Sequence, residues 1–171
     1  MIDEGDVYDA QEVGGPLQTC CFTSLCRLSS GTILAAFRLG STKDSADANC
    51  LVAESTDGGS TWRIISHGFD RLLDGVEGEI READLMELDE GVLAAFITWV
   101  NRSAGKKLYE ADSDSILPTK MLIARSRDGG QSWQWMRSPV RCRLESIHFV
   151  DSRNGWIVGG RSHPYTHKST G

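Results

Sequence analysis

Two aspartates, Asp57 and Asp128, sit in almost the same eight letters, STDGGSTW at 55–62 and SRDGGQSW at 126–133. In each copy the Asp and Ser oxygens can accept hydrogen bonds from backbone N–H groups just beyond them, which folds a turn. The paired glycines permit positive φ, and the Trp buries a large apolar ring at the start of the next segment. This is the chemistry of a stapled hairpin, and nothing in it is arranged as nucleophile, base or metal ligand. Ser55, Asp57, Gly59 and Trp62, with Ser126, Asp128, Gly130 and Trp133, are therefore expected to be structural.

The other reactive side chains are dispersed. The five cysteines, Cys20, Cys21, Cys26, Cys50 and Cys142, are odd in number and contain no CxxC pair. They read as small buried hydrophobes in a reducing compartment. Cys20 and Cys21 would face opposite ways along a strand and are not expected to bridge each other. His67, His148, His163 and His167 are scattered, and Pro164 lies between the last two, against a shared helix face. No metal site and no cofactor are expected.

The segments that must carry these residues repeat as well. SLCRLSSGTILAAF from Ser24 is echoed by DLMELDEGVLAAF from Asp84, and NCLVAES and KMLIARS each run into an octapeptide. Phe37 to Ser55 spans 18 positions and Phe96 to Ser126 spans 30, so the second copy has a loop longer by 12. Each copy reads as four short strands, 19–28, 32–38, 49–55 and 61–66, then 79–88, 92–99, 119–126 and 132–137. The signal is β-rich runs punctuated by Gly, Asp, Asn and Ser. A turn or two near 68–75 is the only place with any helical period. LESIHFVDSRNGWIVGG opens a third unit with strands at 144–150 and 155–160, across a turn at 152–155. Strand repeats of this length are the mark of a propeller or solenoid array.

The totals exclude several classes. The 171 residues carry 18 Lys and Arg against 24 Asp and Glu, a formal charge of −6. That balance, with no basic block, argues against nucleic acid as a partner. Apolar runs such as 92–97 are too short to span a bilayer, so no membrane partner is expected. The acidic start lacks a signal peptide's pattern, and the default expectation is a cytoplasmic chain.

Both octapeptides match S-x-D-x-G-x-x-W, the Asp-box or bacterial neuraminidase repeat, and on these residues the chain resembles the sialidase superfamily. EGEIREADLMELDEGVLAAFITWVNRS followed by LPTKMLIARSRDGGQSW is similar to uncharacterised sialidase-like proteins in particular. The resemblance implies an all-β chain, a partial six-bladed β-propeller of about two and a half blades forming one incomplete domain. Blade one would cover about 17–66, blade two about 78–138, and the start of blade three about 142–171. Closed rings need about four to eight blades. The remaining blades, or self-association, would then cover the open edges.

Family members cut terminal sialic acids with a Tyr nucleophile assisted by Glu, an Asp acid/base and three carboxylate-clamping arginines. Arginine suits the clamp because its planar fork makes two parallel hydrogen bonds. Aligning the family's first arginine phrase through Leu25 puts Cys21 in its slot. The same alignment through Leu85 puts Arg81 there, the foremost candidate for binding an acidic group. The plainer alternative is a strand-end arginine, solvated or salt-bridged, next to Glu79 and Glu82. Arg38, just after LAAF, is a second candidate. Asp47 and Asp44 lie where the family places its acid/base, and either could donate a proton only where its site raises its pKa. Tyr8, Tyr109 and Tyr165 match no nucleophile context. The implied parent protein is a glycoside hydrolase or glycan-binding protein acting on sialic-acid-type sugars, its partner an acidic glycan, and this chain is expected to be inactive alone. The alternative is a non-catalytic propeller serving as a scaffold or protein-binding module.

Overall fold

Runs such as ILAAFRLG and VLAAFITWVN are apolar at nearly every position, which suits strands covered on both faces. The computed structural model describes residues 5–103, 108–110, 115–137, 143–150 and 154–160. A single helical turn, α1 (Ala10–Val13), precedes β1 (Thr19–Arg27), β2 (Ile33–Gly40), β3 (Asn49–Ser55) and β4 (Arg63–Ser66), which form an antiparallel sheet in that order. A second sheet contains β5 (Leu72–Leu73), β6 (Val76–Asp89), β7 (Val92–Asn101), β10 (Thr119–Ser126) and β11 (Gln134–Met136), ordered β11-β10-β7-β6-β5. The second copy's longer loop carries a small hairpin of β8 (Tyr109–Glu110) and β9 (Ser115–Ile116), and β12 (Arg143–Phe149) pairs with β13 (Gly155–Gly160). The chain is an all-β partial β-propeller: two meander blades stacked face to face, followed by one further hairpin.

Period-two alternation decides what meets at the boundary between the blades. In β2, Leu34 and Ala36 face blade two, and in β3 so do Cys50 and Val52. Leu93, Ala95, Ile97 and Trp99 of β7 face back at them. Phe37, Leu39, Leu51 and Ala53 take the opposite face of blade one, where Val7, Tyr8, Ala10 and Leu17 of the N-terminal segment pack on them. Tyr8 lies 5.4 Å from Phe37 between ring centroids. The innermost strands also meet: Leu85 N donates to Ser24 Oγ at 3.3 Å, and Glu87 accepts from both the backbone N and the hydroxyl of Ser29.

Some local structure differs from what the sequence suggests. Residues 68–75 hold no helical turn. Asp74 and Gly75, at φ 53° and 77°, make a two-residue turn that pairs Leu73 with Val76. Positive φ at both central positions is what an Asp-Gly hairpin demands. The α1 turn is too short to leave a helical period in the sequence; Asp9 nucleates it by accepting from Gln11 N at 2.8 Å and Glu12 N at 3.2 Å. Of the four described cysteines all are free thiols, but only Cys50 is buried and Cys20 is exposed. Cys142, Tyr165, His163 and His167 lie outside the described residues, as do Ser152 and Arg153 of the turn expected at 152–155.

Candidate functional site

Both octapeptides build one and the same turn. Gly59 N donates to Ser55 Oγ at 2.8 Å, Thr61 N to Asp57 Oδ1 at 2.9 Å, and Trp62 Nε1 to the Gly59 carbonyl at 3.0 Å. Gly130 N to Ser126 Oγ at 2.9 Å, Ser132 N to Asp128 Oδ1 at 2.9 Å and Trp133 Nε1 to the Gly130 carbonyl at 3.1 Å repeat the pattern. All four glycines, 58, 59, 129 and 130, have positive φ. Hydrogen bonds from the Thr61 backbone and hydroxyl, then from the Ser55 hydroxyl, hold the Asp57 carboxyl well below the carboxylate range. Slight burial raises that of Asp128, but the Ser132 and Ser126 hydrogen bonds outweigh it and the net shift is downward. The polar side chains of these turns are spent on the turn itself.

Strand direction separates the octapeptides from the other candidates. The octapeptides follow the C-terminal ends of β3 and β10. Loop 41–48, which enters β3, therefore lies at the opposite end of blade one. The start of β6 and the end of β7, paired through Gly78 with Asn101 and Glu79 with Val100, lie at that same end. Three arginines, Arg38, Arg81 and Arg102, converge there on a single carboxylate.

That carboxylate is Glu79, whose side chain is 0% exposed. Arg38 Nε donates to Glu79 Oε1 at 3.0 Å and Nη2 lies 2.9 Å from the same oxygen. Arg81 Nη1 reaches Oε1 at 3.2 Å, while Arg102 Nε reaches Oε2 at 2.7 Å and its Nη2 bonds Oε2 too. Arg38 arrives from blade one because it continues the even-numbered face of Leu34 and Ala36. Glu79, Arg81 and Arg102 belong to blade two. A carboxylate taken out of water is tolerated only with close, hydrogen-bonded counter-charge, which three guanidinium groups supply.

The same arginines tether loop 41–48. Arg38 donates to the carbonyls of Thr42 and Ser45, each at 2.9 Å, and Arg102 Nη2 to that of Asp44 at 2.8 Å. Arg71 adds the carbonyls of Ala46 at 2.8 Å and Asp47 at 3.2 Å. Gly40 makes room for this packing: a Cβ there would stand 2.7 Å from Ser45 Oγ and 3.1 Å from Arg38 Nη1.

The four candidate ligand-contacting or catalytic residues thus fare differently. Arg38 is wholly buried and engaged by protein groups. Arg81 stays partly open, its side chain 16% exposed, with Nη2 on Asp44 Oδ1 at 2.8 Å. That hydrogen bond lowers the pKa of Asp44. Asp47 does not join the arginines through its carboxylate, which accepts from Ser41 N at 3.1 Å. Slight burial raises the Asp47 carboxyl, but hydrogen bonds from Ser45 and Ser41 outweigh it and leave it below the ordinary value. Both aspartates are therefore ionised at neutral pH, a state suited to charge stabilisation and not to proton donation. Glu82, next to Arg81, is shifted the other way, by burial first and the Asp84 charge second. Nothing in the sequence marks Glu79, Arg71 and Arg102 as a cluster, beyond a charged residue at each end of an apolar strand pair.

Among the described residues no three His, Cys, Asp or Glu side chains come together as metal ligands. No helix among them is long and apolar enough to cross a membrane.

No family model matches the sequence, and no curated protein matches it. Solved structures do match in fold. An α-L-arabinanase of Penicillium chrysogenum complexed with arabinobiose aligns with a TM-score of 0.50 and 20% identity over 68% of this chain and 31% of its own. An α-L-arabinofuranosidase of Fusarium graminearum aligns with 0.49 and 22% identity over 68% and 30%. A protein of unknown function from Dyadobacter fermentans aligns with 0.46 and 21% over 72% and 29%. The match thus takes in about a third of the length of these structures. At 20% identity the likeness to the arabinanase is one of fold, a partial propeller aligned with part of a longer chain.

Proposed function

We propose that this chain forms blades of a sialidase-type β-propeller that acts on or binds glycans, with Arg81 meeting an acidic group of the sugar. The observation that carries the reading is the setting of Arg81. One edge of its guanidinium is fixed by the buried Glu79, it retains partial exposure, and it stands at the end of the blades away from the octapeptides. A guanidinium fixed in advance loses little freedom when it takes a carboxylate. Arg38 then acts behind the surface, as a holder of Glu79 and of loop 41–48, and Asp44 and Asp47 act as ionised groups on that loop. The likeness to the arabinanase supports the fold of such a protein and not its sugar.

The test is binding of sialyllactose against lactose by saturation-transfer NMR, with Arg81→Gln as control. Selective binding of the acidic sugar, lost in the variant, is expected; equal response to both sugars would refute the assignment. A fluorogenic sialoside should show no turnover with this chain alone, since neither loop aspartate is a proton donor at neutral pH.

A second reading, a non-catalytic scaffold, is favoured by Cys21, which stands where the resemblance calls for an arginine. Its Sγ instead lies 3.9 Å from Arg38 Nη1. Absence of any sugar response in the same NMR experiment would support it.

A further inference from the structure

We infer that the Asp44 carboxylate is a removable occupant of Arg81, standing where the carboxylate of an acidic sugar binds; this rests on the proposed role of Arg81. The two carboxylates on Arg81 are unlike. Glu79, on Nη1, is fully buried and also held by Arg38 and Arg102. Asp44, on Nη2, has a side chain 56% exposed. When Asp44 turns away, Glu79 stays, so the guanidinium keeps its aim and presents a vacated N–H edge.

The loop need not move for this to happen. The Asp44 carbonyl is held by Arg102, and the carbonyls of Thr42 and Ser45 by Arg38. Only the Asp44 side chain has to rotate, which is fast and costs about what an exposed ion pair contributes.

Phe22 supplies an independent indication of a ligand position. Its φ is 53°, unusual for a bulky residue, and it lies in the irregular stretch of β1 between Cys21 and Ser24. Strained backbone of this kind persists where the surroundings enforce it, and such residues cluster at ligand sites. Its ring stands 5.0 Å from Arg81 Cζ, a cation–π contact. β6 is irregular at the matching place, between Ile80 and Glu82, so that Arg81 is the extra residue there. Bulges re-aim side chains next to sites. Phe22 thus lies against the guanidinium face and leaves its N–H edges to carboxylates.

The experiment titrates N-acetylneuraminic acid and, as neutral control, arabinose into the wild-type chain and into Asp44→Asn, Asp44→Ala and Arg81→Gln, followed by NMR shifts. Thermal melts of each protein accompany the titrations. Both Asp44 variants should bind the acid about two- to fivefold more tightly than wild type, the worth of one exposed ion pair. Arg81→Gln should not bind it saturably, and arabinose should bind none of them. Wild-type binding with unchanged or weaker affinity in the folded Asp44 variants would overturn the occupant role while leaving Arg81 as the contact. Absence of binding in every folded protein would remove both.

Discussion

Asp57 and Asp128 show how far local chemistry alone determines a residue's role. Both carboxyls are held below their ordinary pKa, and a depressed folded-state value stabilises the native state above the unfolded-state value, about 3.9. That stabilisation is present at neutral pH and is lost as pH falls through the folded-state values. Asp57→Asn and Asp128→Asn should therefore melt lower than wild type at pH 7, with the difference shrinking toward pH 2. Melting curves across that range check it, and a constant difference would mean that the charge contributes nothing. These turns are legible in the sequence because every hydrogen bond in them closes within a single octapeptide. The Arg81–Glu79 pair is half legible, since the two are two positions apart on one strand. The complete burial of Glu79 is not, because it depends on Arg38, forty-one positions away.

At the scale of elements, loop 41–48 is a short bridge with most of its carbonyls taken by arginines. Gly40 permits the approach, so Gly40→Ala should destabilise the chain by roughly 1–3 kcal/mol, the range for overpacking a tight site. Hydrogen exchange at the Ser41 and Thr42 amides, which donate to Asp47 Oδ1 and Ser45 Oγ, should speed up with it. Native-like stability and protection would mean the loop yields freely. The main strands fall within about three residues of where the repeat places them, since alternating apolar runs and Gly-marked turns are local signals. The β5–β6 hairpin reads as helical despite its own Asp-Gly pair. A short stretch around two leucines cannot distinguish the two periods, whereas the turn dipeptide does. The arginines on loop 41–48 leave no comparable trace, because their partners are backbone carbonyls, which any sequence supplies.

For the whole molecule, Glu79 ties blade one to blade two at the end remote from the octapeptides, while the apolar face of β2, β3 and β7 joins them between. Glu79→Gln leaves three guanidinium groups facing one neutral amide. Removing a partner from a buried ion cluster costs about 3–5 kcal/mol, so urea denaturation should register a loss of that order. A change below about 1 kcal/mol, the worth of an exposed pair, would mean that the cluster is open to water. Two described surfaces are unlike as well. On one, Tyr8, Ala10 and Leu17 already lie across Phe37 and Leu51. On the other, the β12–β13 hairpin, Val150, Trp156 and Val158 stand more than half exposed. A neighbour seeking the first must displace a segment of the chain itself. The N-terminal segment is therefore a built-in competitor for that face of blade one.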